Sequence, residues 1–475
     1  MLKPQCCLFN PKTVGPEPVE GQSCDRLRAN GTCLIPFVVS PSTPLRRTLS
    51  NHKTNPLVQC FLKSLIVLAA LALPAVAAPL PDFDDWLTGF RQQALQQGIR
   101  AETLSAALDD IKPLARVVEL DRRQPEFLQT FAEYQSRRLT PAQIARGQTL
   151  LTEHAALLGA VEARYGVPPS VLVAFWGLET NYGRTTGNFN IPASLATLAW
   201  EGRRSDFFRS QLLDALRILD AGHVTADAMQ GSWAGAMGNL QFMPSTFRAY
   251  ALDADGDQRI DLWNSLPDAF HSAGHYLQRA GWQAGAPVAL AVQLPAGFDW
   301  RRARYAHRLD TQAWSAQGVR LADGSALPAR GRAAIILPQG WQGPAFMVFD
   351  NFDVVMQWNR SVNYALSVAS LAERLAGAVA PSVATGESGA LSTAQLTAMQ
   401  QALNELGFNA GTADGFMGPR TQTALRLYQV KHGLPADGYP APTVFAHIEQ
   451  THATAANAGK LSRAPEPVFA DPATP

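Results

Sequence analysis

Between Pro168 and Gly183 the apolar positions crowd into one run, Val171-Leu172-Val173-Ala174-Phe175-Trp176-Gly177-Leu178, which a single acid, Glu179, then breaks. Pro168-Pro169-Ser170 is a start signal and Gly183 a stop, so the run predicts a helix. On a 3.6-residue period Glu179 shares a face with Leu172, Phe175, Trp176 and Tyr182. A carboxylate among aromatics loses hydration, which favours the protonated acid. Such an acid can protonate a leaving oxygen. The same pattern also fits a core helix whose acid pairs with a buried arginine.

The flanking patterns are mostly helical. From Asp82 to about Tyr165, Phe83, Trp86, Leu87 and Phe90 recur at helical spacing, as do Phe127, Phe131 and Tyr134. Thr140-Pro141 opens another helix with Thr140 as its cap. Arg203-Arg204 precedes a helix ending near Leu219. Two cations there oppose the helix dipole, which fits either an anionic ligand or a structural ion pair.

The period changes over about 288–348. Val288–Leu294, Ala333–Leu337 and Ala345–Val348 read as short strands between Gly/Pro turns. Helical text then resumes at Val354–Trp358 and Tyr364–Leu375. Residues 377–390 are Ala/Pro/Ser/Gly-rich, a linker. Residues 391–448 predict a small three-helix unit in which Ala413-Asp414-Gly415 is echoed by Ala436-Asp437-Gly438, an internal half-repeat. Residues 449–475 are Ala/Pro-rich and predict disorder. The fold class is therefore mainly α: a helical domain over 82–376 with a small β insertion, then a three-helix domain.

Composition narrows the setting. The chain has 475 residues with 17 % charged and a formal net charge of +1. No Lys/Arg block marks a nucleic-acid footprint, so no nucleic-acid partner is expected. All five cysteines lie at or before Cys60. Lys63 then leads into an apolar core, Leu65–Leu73, and an Ala75-Val76-Ala77 cleavage site, so 61–77 reads as a signal peptide. The mature chain would hold no cysteine in an exported compartment, the periplasm, and no lipid-attachment cysteine follows the core. Residues 1–60 read as an extension that is misassigned to the chain or disordered.

The stretch Gly231-Ser232-Trp233-Ala234-Gly235-Ala236-Met237-Gly238-Asn239-Leu240-Gln241 combines three glycines with neutral hydrogen bonders and a tryptophan. Glycines let backbone approach a ligand closely, and this mixture suits a sugar better than an ion. Gly177–Gly183 followed by Gly231–Ser245 resembles the lytic murein transglycosylase B family, as do Leu120–Phe127 and Val354–Ser361. The resemblance runs from about Asp82 to Leu375. It implies a lysozyme-like catalytic domain that cleaves peptidoglycan, with Glu179 catalytic. It places Ser232, Gln241, Asn359 and Tyr364 along the sugar cleft, and Arg203 and Arg204 near the peptide stem. The three-helix unit resembles the peptidoglycan-binding domain of wall enzymes. Expected partners are glycan strands and other cell-wall synthesis or remodelling enzymes, with the chain itself a monomer.

Asp253, Asp255, Asp257 and Asp261 occupy the first, third, fifth and ninth positions of a calcium loop. Gln258 replaces the turn glycine and Asn264 the closing Glu, so the loop fits either a structural Ca²⁺ or a solvated acidic turn. No cofactor is expected in the chemistry. Neither motif supplies a second carboxylate, which a hydrolase needs for water or as nucleophile. One acid suffices if the substrate's own hydroxyl attacks. A lysozyme-like hydrolase and a non-catalytic wall-binding protein remain the alternative readings.

Overall fold

The structure, a computed structural model, describes residues 80–122, 129–202, 204–378 and 389–461. The leader at 61–77, the extension before it, Phe127, Arg203 and most of the linker lie outside those residues.

Helices α1 (Phe83–Gln96), α2 (Ala101–Leu108), α3 (Ala115–Arg122), α4 (Phe131–Arg138), α5 (Pro141–Glu153) and α6 (Ala155–Tyr165) lead into α7 (Pro169–Thr180). Every residue of α7 from Val171 to Thr180 is buried. A helix apolar on all sides belongs at the centre of a domain, and α7 has α5, α6, α11 (Leu266–Arg279) and α14 (Val362–Leu375) around it. Its end differs from the expected stop at Gly183. The helix closes at Thr180, and Asn181 takes the left-handed cap at φ 50°. Asparagine tolerates that region, and the Tyr182 N–H reaches back to the Trp176 carbonyl at 3.2 Å.

A long hairpin, α8 (Ile191–Glu201) and α9 (Ser205–Asp220), packs against α2 and α3, followed by the short α10 (Pro244–Tyr250), which packs on α9. Strands β1 (Phe189–Asn190) and β2 (Gln230–Gly231) pair antiparallel and tie the glycine-rich loop to the start of α8.

The insertion is an antiparallel five-stranded sheet built from β3 (Ala289–Gln293), β4 (Arg308–Asp310), β5 (Arg320–Leu321), β6 (Arg332–Ile336) and β7 (Ala345–Val348), in the order β4-β6-β7-β3-β5. The three apolar strands were legible in the sequence; β4, β5 and the helix α12 (Thr311–Ala316) between them were too short and polar to stand out. Alternation explains the unbroken apolar text. Ala333, Ile335, Ala345 and Met347 face a small core around Trp314. Ala334, Ile336, Phe346 and Val348 face the main helical core. Successive strand residues point to opposite faces, so a sheet covered on both sides reads as continuously hydrophobic. The insertion also clamps the next helix, α13 (Asp350–Trp358): Arg308 bonds Asp350 at 2.9 Å and Asp353 at 2.8 Å.

The C-terminal unit comprises α15 (Thr393–Glu405), α16 (Pro419–Lys431) and α17 (Pro442–Leu461) around Leu396, Met399, Leu403, Leu425, Tyr428 and Ile448. The half-repeat has a physical basis. Buried Gln400 donates to Asp414 at 3.0 Å and accepts from the Gly415 N–H at 2.7 Å. Buried Gln429 donates to Asp437 at 2.7 Å and accepts from the Gly438 N–H at 2.8 Å. Each Asp-Gly turn is thus pinned to the preceding helix by one glutamine amide. The disorder expected from 449 does not begin there, since α17 continues to Leu461, and 462–475 lie outside the described residues. Its Ala-rich end is good helix-forming text, and Thr451 bonds the Tyr428 hydroxyl at 2.8 Å.

Candidate active site

Glu179 sits on the last turn of α7, 7 % exposed. Its Oε1 accepts the Tyr364 hydroxyl at 2.7 Å and the Trp358 indole N–H at 3.0 Å. Trp358 ends α13, and Tyr364 lies in the first turn of α14, whose cap Ser361 accepts the Tyr364 N–H. The turn between the two helices therefore delivers both donors to one oxygen. Phe175 packs against Trp358 with ring centroids 4.5 Å apart, and Phe242 and Tyr276 meet the same indole edge-on at 5.4 and 5.1 Å. The acid is set in an aromatic wall, of which α7 itself supplies Phe175, while Tyr182 packs against Trp176 at 5.8 Å. Trp176 is not in that wall: its indole N–H bonds Asn239 Oδ1 at 2.9 Å.

The glycine-rich loop does a different job from the one expected. A Cβ on Gly231 would lie 2.1 Å from the Ala236 carbonyl oxygen, and one on Gly238 would lie 2.4 Å from that of Leu262. These glycines let backbone approach backbone. Ser232 is buried, and its hydroxyl accepts the Ala236 N–H at 2.9 Å. Asn239 joins α7 to the 262–263 backbone through Trp176, Leu262 and Trp263.

Gln241 behaves differently. It holds a left-handed φ of 53°. Its amide nitrogen donates to Thr186 O and Gly238 O, both at 3.0 Å. Its buried Oε1 has no donor among the described residues. An orphaned buried acceptor costs about 1–3 kcal/mol, and left-handed backbone on a bulky residue adds strain. Asn359 caps the end of α13, half-buried, with Oδ1 accepting the Ser361 N–H at 3.1 Å.

Arg204 is engaged elsewhere. It pairs with buried Asp121 at 2.5 Å and lies over the Phe208 ring at 4.8 Å. The ion pair links α3 to the start of α9, and Nε and Nη1 of Arg204 are buried without a partner among the described residues. Arg203 lies outside the described residues.

The acidic loop also departs from its pattern. Oxygens of Asp253, Asp255 and Asp268 lie within 4.8 Å of one another. Asp257 and Asp261 are not in that group. Asp257 accepts the Arg259 N–H at 2.8 Å, and Asp261 accepts those of Trp263 and Asn264 at 2.9 Å. Burial, then the neighbouring Asp255 and Asp253, push the Asp268 carboxyl up against the pull of its backbone hydrogen bonds. Three convergent hard oxygens fit a Ca²⁺ ion. Asp268 escaped the sequence reading because it lies on α11, beyond the loop template; there Ser265-x-x-Asp268 reads only as a helix cap. Trp358 escaped because nothing in its own text separates a donor from a core indole.

Residues 82–373 match the family described as Transglycosylase SLT domain. The chain belongs to that family. Residues 392–448 match a peptidoglycan binding domain. The membrane-bound lytic murein transglycosylase B of Escherichia coli is 30% identical over 292 residues, 60% of this chain and 77% of that one. SltB3 from Pseudomonas aeruginosa, solved with NAG-anhNAM-pentapeptide, is 43% identical with a TM-score of 0.75, covering 77% of this chain and 99% of that one. Slt35 from Escherichia coli, solved with calcium, is 27% identical with a TM-score of 0.54, covering 63% of this chain and 94% of that one. The protein is a peptidoglycan lytic transglycosylase of this family. No helix among the described residues is long and apolar enough to cross a membrane.

Proposed function

We propose that this transglycosylase cleaves the MurNAc-β-1,4-GlcNAc bond with Glu179 as its single acid/base, releasing 1,6-anhydroMurNAc ends in the periplasm. The observation that carries the reading is the pair of donors on Glu179 Oε1. An oxygen that accepts from both an indole N–H and a phenol O–H is not the one bearing the acid proton. In the protonated acid the proton is therefore on Oε2, which gives it to the glycosidic oxygen as the bond to C1 breaks. Trp358 and Tyr364 then stabilise the carboxylate that remains. That carboxylate takes the proton from the MurNAc 6-hydroxyl as its oxygen bonds to C1, so no water is consumed. The segments 168–183, 231–245 and 358–367 contain no acid besides Glu179, which favours intramolecular attack over hydrolysis.

Gln241 Oε1 accepts a sugar hydroxyl or amide N–H, which removes the cost of its orphaned carbonyl. Asn359 and Tyr364 border the sugar at the turn between α13 and α14. Ser232 acts by holding the loop that carries Gln241. Asp253, Asp255 and Asp268 hold a structural Ca²⁺ whose role is to fix the loop before α11; the same ion is present in the Slt35 crystal structure. Export follows from the leader at 61–77.

Sacculus digestion tests the mechanism. The parent should release muropeptides one water lighter than reducing-end products, and Glu179→Gln should release none. Reducing-end products would establish the hydrolase instead. A Glu179→Gln variant as fast as the parent would remove Glu179 from the chemistry.

A further inference from the structure

A cavity of about 910 Å³ lies between the β insertion and the C-terminal domain. Its walls are largely apolar, with Ile336 and Leu337 from one domain and Leu391, Met417 and Leu427 from the other. The joint is anchored from both sides. Asp437 Oδ2 accepts the Trp341 N–H at 2.8 Å, and Arg426 donates to the Ala303 carbonyl at 3.3 Å.

The charge in this cavity is unbalanced. Arg301, Arg304 and Arg426 line it, and Asp437 is its one acid. Arg301 is neutralised by Asp299 at 2.7 Å. Asp437 is bonded on both oxygens: Oδ1 accepts from Gln429 and from the Tyr439 N–H at 2.7 and 2.9 Å, and Oδ2 accepts the Trp341 N–H. Its charge acts on Arg426 without a direct ion pair among the described residues. Arg426 Nε is buried without a hydrogen-bond partner. Burial pulls the Arg426 guanidinium below its ordinary range, opposed by the charge of Asp437 and reinforced by that of Arg304. Arg426, with its unused buried Nε, and the exposed Arg304 on the same cavity wall suit a carboxylate ligand, which guanidinium binds bidentately.

The site also shares a wall with the catalytic one. Met356, Val362 and Asn363 line the cavity, and they lie within a few residues of Trp358 and Tyr364, which bond Glu179. In peptidoglycan the carboxylates hang on the peptide stem of the muramoyl sugar, beside the glycan bond to be cut. We propose that the cavity binds the carboxylates of peptidoglycan peptide stems, with Arg304 and Arg426 as the recognising pair. The proposal rests on peptidoglycan being the substrate. It makes the C-terminal domain a reader of stems and not only an anchor on the glycan.

Co-sedimentation of the full chain with purified sacculi tests this, with Glu179→Gln present throughout so that nothing is cut. Two materials are compared: sacculi with intact stems, and sacculi stripped of stems by an amidase. The parent should bind intact sacculi more tightly. Arg304→Ala and Arg426→Met should each lose roughly tenfold in affinity for intact sacculi and nothing for stripped ones. Equal binding of the parent to both materials, or equal loss on both in the variants, would overturn the assignment. Failure of the parent to bind either material would instead overturn the substrate. Arg304 is exposed, so Arg304→Ala decides the matter if Arg426→Met lowers the melting temperature.

Discussion

The Tyr364 hydroxyl meets Glu179 Oε1 at 2.7 Å across 185 positions of chain. This bond exists because α14 packs along α7 and because Ser361 starts α14 three residues before the tyrosine. It strengthens when Glu179 becomes a carboxylate, so it acts after proton donation. Tyr364→Phe should lower kcat by roughly 10- to 100-fold, the worth of one hydrogen bond to a charged group, with little change in KM. Initial rates of muropeptide release measure this. An unchanged kcat would show that the bond only shapes the pocket.

Trp358 carries the second donor, and its case shows what the sequence could and could not reveal. The α7 run announced a buried acid because unbroken apolar text around one carboxylate is rare. The partners of that acid come from the end of α13 and the first turn of α14, and their approach is a matter of tertiary packing that no local period encodes. Ser232 and the loop glycines illustrate a different ambiguity. Their composition suggested ligand contact, but close packing of backbone on backbone demands the same residue types. Glycine reports that something is near, not what it is.

Tyr182 occupies a slot made by two glycines. A Cβ on Gly177 would stand 2.8 Å from its ring, and one on Gly147 would stand 2.5 Å from its hydroxyl oxygen. The hydroxyl donates to the Gln143 carbonyl at 2.8 Å, and the Gln143 amide in turn bonds the Gly177 carbonyl at 3.0 Å. This closes the last turn of α7, where Glu179 sits. Gly177→Ala should therefore destabilise the fold by about 1–3 kcal/mol through overpacking, although alanine is the better helix former. Urea unfolding measures it. A double variant with Tyr182→Leu should recover part of the loss, since the two positions compete for one space.

Asp253, Asp255 and Asp268 crowd three carboxylates together, and a divalent cation relieves that repulsion. Ca²⁺ should raise the melting temperature, with about 2.7 kcal/mol gained at a hundredfold excess over Kd. Asp268→Asn should abolish most of that gain, and Asp257→Asn should leave it intact. Thermal melts with calcium and with chelator decide between the observed trio and the loop template. An effect of Asp257→Asn equal to that of Asp268→Asn would restore the template.

Glu373 on α14 carries the clearest pH signature outside the cleft. Burial pushes its carboxyl from an ordinary 4.5 up to about 7, against a small opposing pull from Arg374. An acid whose pKa rises on folding binds its proton more tightly in the folded chain. Its protonated form favours folding fully below about pH 4.5, and that advantage is lost as the pH climbs to 7. Above that range the folded state holds a poorly solvated carboxylate, a cost of about 1–3 kcal/mol. Glu373→Gln should therefore be more stable than the parent at pH 8 and close to it at pH 4.5. The difference between their urea midpoints should grow through that window and then level off. A difference that is constant with pH would show that Glu373 does not titrate there.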